Sequence, residues 1–466
     1  STATFTDVAF APVAPGCRKI VLATNVAETG ITIPDVTVVV DCGVSNQVHW
    51  DHRRRVTALS TRTVSRANVR QRAGRAGRVQ AGLALCLFTE PQLAAMAEFE
   101  LPEMQRLPLA ALCLQAKAHG VRDAMQFLQL ALDPPPQSAV AHALAELQAS
   151  GALDENEMLT PIGRHLCALP VDLHVAKLLV AASLFNCLDP ALTLAAALSA
   201  TSSIVPTTGV HRRFPEKFLP YVEKQSALSS DFLATLAVYE DWRTHATTMT
   251  HAELRDWTRR NGMNRDALDA MEDSREQYLR LLHEQGLVET NATIRPPTRG
   301  LRQGLVVVPP EFSRNSCCLN VLYAALTMAF DHVVMPAMPS GHIIAHSHVT
   351  KRVEGIGHAI QIVDHERIAT RPLDIERKSL VHSHKPLGAH ALVAARLSSS
   401  GANATAAHDI TCVSLVHVVL FARSLAYWPK ARQLSVNRWI DAKCYARSAV
   451  VLLVLRRMIE EIVEFR

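Results

Sequence analysis

The sequence predicts a multidomain protein in which an α/β region is followed by mostly helical regions and a smaller strand-rich region. The chain has 466 residues, which at the usual domain size corresponds to about three domains. Short β-branched runs alternate with helical patterns over the first ninety residues, whereas amphipathic helical patterns dominate residues 164–290. Apolar residues make up 48% of the chain and charged residues 20%, which favours folded domains over an extended disordered tail.

Three apolar runs near the beginning of the chain predict strands, at residues 19–23, 36–40 and 83–88. Continuous apolar strands of this length are typical of a parallel sheet that is buried on both faces. Between the second and third runs, residues 43–59 alternate apolar and polar side chains around a charged stretch at residues 51–55. This alternation predicts a hairpin that projects from the sheet, and its charge suits solvent or a polyanion.

The rest of the chain divides by pattern into four further parts. Helical runs followed by a turn-rich stretch at 150–160 predict a small winged-helix unit over residues 91–163. Amphipathic helices predict a helical bundle over residues 164–295, and short strands and turns follow over 296–430. An amphipathic helix at 445–465 is predicted within the closing part, residues 431–466.

Charge and cysteine usage narrow the classes of protein. The net charge of +5 permits a nucleic-acid partner without requiring one. The ten cysteines are scattered and form no CxxC pair, which favours a reducing compartment over a disulfide framework. We therefore expect a cytoplasmic protein, with nuclear and mitochondrial locations left open. No apolar run approaches the length of a membrane-spanning helix.

The most specific segment is Gln71-Arg-Ala-Gly-Arg-Ala-Gly-Arg78. Three arginines at a spacing of three, separated only by Gly and Ala, predict guanidiniums along one short helical face. Such a row suits the clamping of a triphosphate, and Gln71 is placed to orient an attacking water. The alternative, a solvated basic helix start, requires neither the two glycines nor the glutamine.

A second polar segment follows directly after the first predicted strand. It reads Ala23-Thr-Asn-Val-Ala-Glu-Thr-Gly-Ile-Thr-Ile-Pro34. A strand-to-loop junction of this composition offers hydroxyls, an amide and backbone N–H groups to the phosphates of a nucleotide or of a nucleic-acid backbone. Taken alone, this segment is moderately specific.

Together, in this order, the two segments resemble motifs V and VI of the DEAH-box (DEAH/RHA) family of superfamily 2 RNA helicases. Residues 102–114 and 159–170 are similar to the beginning and end of that family's winged helix. Residues 185–190 and 230–242 are similar to its helical ratchet domain, and residues 434–440 resemble its closing segment. The resemblance implies a partial second RecA-like domain at 1–90, a winged helix at 91–163, a ratchet bundle at 164–295, an OB-like β domain at 296–430 and a C-terminal helix at 431–466.

The resemblance also implies roles for individual residues. By position, Arg75 and Arg78 would bind the γ-phosphate of ATP, and Gln71 would position water or phosphate. Further ATP contacts are implied for Gly30, Thr32 and Asp35, although many members have Ser at the position of Gly30. The implied RNA contacts are Thr24, Asn25, Arg53, Arg54, Arg377 and Lys378.

The implied function is that of an ATP-dependent RNA helicase acting on single-stranded or structured RNA, with ribosomal or other ribonucleoprotein particles as further candidate partners. The sequence contains neither a GxxxxGK[ST] P-loop nor a DExH tetrapeptide. We therefore expect an N-terminally incomplete helicase that is inactive alone, with Mg²⁺ held through the missing first RecA-like domain. The rival interpretation is an ATPase-inactive module that holds RNA, a ribonucleoprotein or a protein.

Two other chemistries are weaker interpretations. His342, His346 and His348 lie close in sequence, but no cysteine pair or carboxylate shares their spacing. We therefore predict surface or core histidines and no metal site. Ser-His-Asp hydrolysis is also disfavoured, because the sequence contains no GxSxG elbow.

Overall fold

The computed structural model describes residues 10, 16–30, 33, 35–51, 56–77, 81–200, 204, 230–289, 304–330, 332–336, 360–362, 373–375, 391–400, 404–422, 424–437 and 440–464. The chain folds as two compact units. The first comprises Ser1–Leu107 with Leu132–Pro135, and the second comprises Pro108–Ala131 with Pro136–Arg466.

The first unit combines short helices with two pairs of strands. In chain order its described elements are α1 (Val26–Thr29), β1 (Val38–Asp41), β2 (Val44–Asp51), β3 (Val56–Thr63), α2 (Arg66–Ala73), β4 (Leu83–Cys86), α3 (Glu90–Ala95) and α4 (Glu103–Arg106). A small apolar core joins α2 to the segment around α3. Its members are Val64, Val69 and Met96, with Phe88 and Leu93 packed against them.

The strands β1 and β4 pair in parallel, which confirms two of the three predicted strands. The predicted strand at 19–23 is wrong, because that segment is neither helix nor strand. The prediction that both faces of this sheet are buried is also wrong, since Val40 is 59% exposed and Leu85 is 46% exposed. Side chains alternate between the faces of a strand, so Asp41 is buried while Val40 lies on the opposite, exposed face.

The strands β2 and β3 form the predicted hairpin and pair antiparallel along their whole length, as far as Thr63. Gly43 stands at its base with φ +71°, and a Cβ there would lie 2.5 Å from Cδ1 of Phe88. Only glycine fits both the backbone conformation and the space. The carbonyl of Gly43 accepts a hydrogen bond of 3.1 Å from the Val64 N–H, which closes the hairpin.

The second unit begins with the helices and wing that the sequence predicts. These helices are α5 (Ala110–Ala118), α6 (Ala124–Leu128), α7 (Gln137–Ala149) and α8 (Pro161–Ala168). Between α7 and α8, a single antiparallel bridge joins Leu153 to Leu159 and forms the wing. Lys117 of α5 lies 3.1 Å from the Glu157 carboxylate, so an ion pair ties the wing to the helices.

Longer helices form the predicted helical bundle. They are α9 (Leu173–Leu184), α10 (Leu188–Ser199), α11 (Asp231–Thr248), α12 (His251–Arg260) and α13 (Arg265–Glu284). Leucines of α9 and α10, among them Leu178 and Leu192, are fully buried where these helices pack together. The core between α9 and α10 is therefore aliphatic, whereas the fully buried Tyr239 and Trp242 add aromatic rings on α11.

A buried charge network ties three of these helices together. The guanidinium of Arg275 is fully buried, lies 2.7 Å from Oδ1 of Asp189 and has its Cζ 5.1 Å from the Tyr239 ring centroid. Glu272 accepts hydrogen bonds from the Tyr239 hydroxyl and from the Val306 N–H. The network therefore links α10, α11 and α13 to the segment that follows them.

Among the described helices, no single one is long and apolar enough to cross a membrane. The pair α8 and α9 reaches that length and composition together, but the two helices meet at 117°. Most residues of α9 from Val175 to Ser183 are buried within the second unit.

The remaining elements are α14 (Pro310–Ser313), α15 (Leu319–Ala329), β5 (His332–Pro336), β6 (Ile360–Ile362), β7 (Leu373–Ile375), β8 (Ala391–Ser400), β9 (Ala404–Val413), α16 (Leu415–Leu420), β10 (Leu425–Trp428), β11 (Gln433–Val436), β12 (Ile440–Lys443) and α17 (Ala446–Glu464). β8 pairs antiparallel with β5 and β9, β6 pairs antiparallel with β5, and β7 pairs parallel with β9. Closure of these strands into an OB-like barrel stays a prediction.

The closing part of the chain contains more than the predicted helix. The predicted helix is present as α17, but β10, β11 and β12 form an antiparallel sheet before it. The reason lies in the period of the pattern: Leu434 and Val436 alternate with half-buried polar residues in β11, which suits a strand.

We expect Asp189→Asn to lower the free energy of unfolding by about 1–3 kcal/mol at neutral pH, because a neutral amide compensates the Arg275 charge poorly. Burial alone would raise the pKa of Asp189, but the charges of Arg275 and Arg243 hold it below its usual value. The stabilisation is therefore complete above about pH 4 and is lost as the pH falls through the lower pKa of the folded state.

Urea unfolding of the parent protein and of Asp189→Asn at pH 7 and pH 3 checks this prediction. The difference between the two proteins should shrink at pH 3. An equal difference at both pH values would contradict the role of the Asp189 charge.

Candidate functional site

The helix α2 carries the arginine-rich segment, and its beginning is fixed by a capping box. The Ser65 hydroxyl accepts a hydrogen bond of 3.2 Å from the Asn68 N–H, and the Asn68 side chain accepts one of 3.2 Å from the Ser65 N–H. Reciprocal bonds of this kind satisfy two of the free N–H groups at a helix start. Val69, one turn further along, is buried in the small core of the first unit.

The end of α2 tightens into a turn that carries Arg75. The helix ends at Ala73, the Gly74 N–H donates to the Arg70 carbonyl, and the Arg75 N–H donates to the Arg72 carbonyl at 3.0 Å. Gln71 is exposed on the last turn of the helix, and Arg75 is half-buried just beyond it. The structure therefore places Gln71 and Arg75 at one end of a single helix.

This turn lies against the beginning of β4 through a glycine. Ala76 is 1% exposed. A Cβ on Gly82 would lie 2.3 Å from the Ala76 carbonyl oxygen and 2.6 Å from its carbonyl carbon, both of them backbone atoms. The absence of a side chain at Gly82 is therefore what allows the arginine turn to reach this position.

The polar segment around α1 places its predicted contacts at the surface. Thr24 and Asn25 are exposed, and the Asn25 side chain makes no capping hydrogen bond to α1 although it stands at the N-cap. Gly30 ends α1 and donates its N–H to the Val26 carbonyl at 3.0 Å. A Cβ on Gly30 would lie 3.1 Å from that oxygen, so the serine of many family members requires a shift of only a few tenths of an ångström.

The two segments are joined by an arginine between two carboxylates. The Nε of Arg72 lies 2.8 Å from Oε2 of Glu28 in α1, and its Nη1 lies 2.9 Å from Oδ1 of Asp41 at the end of β1. The Asn68 side chain donates a further hydrogen bond to Glu28. These bonds connect positions 40, 44 and 31 residues apart in the sequence.

All three charged side chains of this bridge are largely buried, with 14% of Arg72, 7% of Glu28 and 5% of Asp41 exposed. Burial alone would lower the pKa of the Arg72 guanidinium, but hydrogen bonds with Glu28 and Asp41 raise it. The Asp41 Oδ1 also accepts a hydrogen bond from the Gly43 N–H at 2.9 Å. The two carboxylates therefore compensate the charge of the buried Arg72 guanidinium.

The bridge corrects one sequence prediction. Arg72 was expected in a row of three phosphate-binding guanidiniums, but it is engaged by Glu28 and Asp41. Because α2 ends at Ala73, Arg72 and Arg75 do not share one regular helical face. Sequence reasoning missed Glu28 and Asp41 altogether, and the sequence gives a signal only for Asp41, an acidic residue directly after the apolar run at 38–40.

Asp35, the predicted ATP contact that the resemblance assigns to the ribose, is bound to a lysine in this structure. Its carboxylate lies 2.7 Å from Nζ of Lys19. The hydrogen bond from Lys19 lowers the pKa of Asp35, so the side chain stays ionised. A ribose hydroxyl would have to compete with this ammonium group.

Several predicted contacts lie outside the described residues. They are Thr32, Arg53, Arg54, Arg78, Arg377 and Lys378, together with the histidines His342, His346 and His348. Among the predicted contacts that the structure does describe, the exposed amide of Gln71 and the half-buried guanidinium of Arg75 suit an anionic triphosphate. The exposed hydroxyl of Thr24 and amide of Asn25 suit the phosphates of a nucleic-acid backbone.

Three known domain families match the chain. The helicase conserved C-terminal domain matches residues 6–80, which include both polar segments. The winged-helix part of the helicase associated domain (HA2) matches residues 143–171, and its ratchet-like part matches residues 172–261. The winged-helix match covers most of α7, the wing and α8, and the ratchet-like match covers α9 to α12.

Curated helicases are similar to this chain over much of its length. DExH-box ATP-dependent RNA helicase DExH1 of Arabidopsis thaliana is 41% identical over 275 residues, which are 59% of this chain and 27% of that protein. ATP-dependent RNA helicase DHX29 of Homo sapiens is 30% identical over 457 residues, which are 96% of this chain and 31% of that protein. ATP-dependent DNA/RNA helicase DHX36 of Homo sapiens is 41% identical over 230 residues, 49% of this chain and 22% of that protein. The chain spans less than a third of the length of these relatives.

We expect Gly82→Ala to lower the thermal unfolding midpoint of the first unit by several degrees, because the new Cβ would collide with the Ala76 backbone. Gly77→Ala is the matched control for stability, since a Cβ on Gly77 meets nothing within 4 Å. Differential scanning calorimetry of both variants makes the comparison. Equal midpoints for the two variants would contradict the close packing at Gly82.

Proposed function

We propose that the first unit of this chain forms one wall of an ATP site beside an RNA-binding loop. The premise is that the chain belongs to the DEAH-box (DEAH/RHA) family of superfamily 2 helicases and corresponds to the C-terminal portion of such a protein. The supporting observation is that Asn68 and Arg72 of α2 both hydrogen-bond to Glu28 of α1. The segment with Thr24 and the turn with Arg75 are thereby held as neighbours.

In this proposal the nucleotide side of the site depends on the end of α2. The guanidiniums of Arg75 and Arg78 bind the γ-phosphate and compensate the charge that its transfer develops, while Gln71 orients the attacking water. A guanidinium suits this task because it is permanently charged and donates several hydrogen bonds in a fixed plane. ATP supplies the phosphoanhydride bond whose hydrolysis releases free energy.

The opposite edge of the nucleotide site would be formed by residues after α1. Thr32 contributes a hydroxyl. Gly30, whose N–H is bonded to the Val26 carbonyl, contributes space for the nucleotide because it has no side chain. Asp35 reaches the ribose once it has exchanged its bond with Lys19 for a sugar hydroxyl. Gly30 lacks the serine hydroxyl to which the resemblance assigns sensing of the γ-phosphate, so another residue would have to sense it.

On the RNA side, Thr24 and Asn25 donate hydrogen bonds to backbone phosphates, which bind RNA without reading its sequence. Arg53 and Arg54, which lie in sequence between β2 and β3, and Arg377 and Lys378 of the predicted OB-like region would add positive charge that binds the RNA strand. With a complete ATP site, the protein would unwind RNA or move along it. RNA alone or within ribosomal or other ribonucleoprotein particles is the proposed substrate.

A second candidate function is that of an ATPase-inactive module that holds RNA, a ribonucleoprotein or a protein. In that case the native-length protein would bind its partner without hydrolysing ATP. An RNA-stimulated ATPase assay on the protein at its native length separates the two candidates. Turnover supports the motor, whereas RNA binding without turnover supports the module.

We expect Arg75→Ala in the native-length protein to reduce ATP turnover by about a thousandfold while leaving RNA affinity within about twofold of the parent. The reason is that the proposed partner of Arg75 is the γ-phosphate and not RNA. Steady-state ATPase rates and fluorescence anisotropy with labelled RNA measure the two effects. Parental turnover in this variant would disprove the assignment of Arg75.

We expect Asn25→Ala to weaken RNA binding by about 5- to 10-fold, the loss of one hydrogen bond to a phosphate. The exposed position of Asn25, and the absence of a capping bond from its side chain, predict little change in stability. Anisotropy titrations with two unrelated RNA sequences measure the affinity. A loss confined to one of the two sequences would argue against a backbone contact.

A further inference from the structure

We propose that Arg72 is a positioning residue that holds Arg75 in place for the γ-phosphate by bridging Glu28 and Asp41. The inference rests on the proposed function of Arg75 and adds to it a residue that would not itself touch the nucleotide. Its basis is the path from the two carboxylates through Arg72 to the turn that carries Arg75.

The first step of that path is the anchoring of the two carboxylates. Asp41 is the last residue of β1, and its carbonyl accepts a hydrogen bond from the Leu87 N–H at 2.9 Å, immediately after β4. Glu28 lies within α1, and its own N–H donates to the Asn25 carbonyl at 3.0 Å. One carboxylate is thus fixed to the sheet and the other to the RNA-binding segment.

The second step depends on the several hydrogen-bond donors of the Arg72 guanidinium. Nε of Arg72 bonds to Glu28 while Nη1 bonds to Asp41 and also approaches the Val44 carbonyl at 3.3 Å. Three acceptors on three segments require donors that point in different, fixed directions. A guanidinium has such donors, whereas the ammonium group of a lysine supplies a single centre on a flexible chain.

The third step connects Arg72 to Arg75 directly. The Arg72 carbonyl accepts the Arg75 N–H at 3.0 Å, and the next bond of the turn runs from the Ala76 N–H to the Ala73 carbonyl at 3.1 Å. A displacement of Arg72 would therefore move the backbone of Arg75.

The experiment uses the native-length protein with Arg72→Lys, Glu28→Gln, Arg75→Ala and the double variant Arg72→Lys/Arg75→Ala. Arg70→Lys is the matched control, because Arg70 is an exposed arginine of the same helix. Glu28→Gln retains the size of the side chain, so it tests the bridge even where Arg72→Lys folds poorly. Thermal unfolding of every variant verifies that the protein is folded.

We expect Arg72→Lys and Glu28→Gln each to lower kcat by about 10- to 100-fold, as for a displaced catalytic group, with RNA affinity close to that of the parent. The double variant should turn over ATP as slowly as Arg75→Ala alone, because Arg72 acts through Arg75. A purely stabilising role for Arg72 predicts instead that the two losses multiply. Arg70→Lys should have the turnover of the parent.

Hydrogen exchange gives a readout that requires no nucleotide. The amides of Arg75 and Ala76 should exchange at least about tenfold faster in Arg72→Lys than in Arg70→Lys, since the turn loses its anchor. Three results would each overturn this inference alone. They are unchanged hydrogen exchange in Arg72→Lys, losses of kcat that multiply in the double variant, and parental turnover in both bridge variants while Arg75→Ala is inactive. Parental turnover in Arg75→Ala would overturn the proposed function and this inference with it.

Discussion

A guanidinium that is withdrawn from water requires carboxylates, and Arg72 has two of them on segments far apart in the sequence. Glu28 belongs to α1 and Asp41 lies at the end of β1, so their bonds to Arg72 determine where α2 lies. Replacing Arg72 by a neutral residue would leave two buried carboxylates without their cation, which typically costs several kcal/mol. The arrangement of the whole candidate site depends on this compensation.

The second unit uses the same principle in a different setting. Arg275 is buried among Asp189, Glu272 and Tyr239, and it ties together helices that begin at residues 188, 231 and 265. In both units a buried arginine bonds to side chains of separate elements, and apolar packing alone would not fix the relative positions of these elements. Hydrogen bonds have direction, whereas apolar contacts do not, so these clusters determine the relative placement of elements whose stability comes from apolar burial.

Local patterns predicted much of the fold because their causes are local. The alternation of apolar and polar residues in the hairpin and the 3.6-residue period of the bundle helices act over a few residues. The wrong prediction of a strand at residues 19–23 also has a physical cause. Residues 19–23 have the composition of a strand, but a strand forms only when a neighbouring strand pairs with it, and none of the described strands does so.

The sequence by itself determined which segments carry the chemistry and which family they resemble, since the order Thr24, Asn25, Gln71, Arg75 can be read without coordinates. It could not determine which arginine of the row at spacing three is structural. That choice depends on carboxylates 44 and 31 residues away, which approach Arg72 only when α1, β1 and α2 have packed. Only the tertiary structure assigns Arg72 to the bridge and leaves Arg75 at the end of the helix, because burial and ion pairing are properties of neighbours in space.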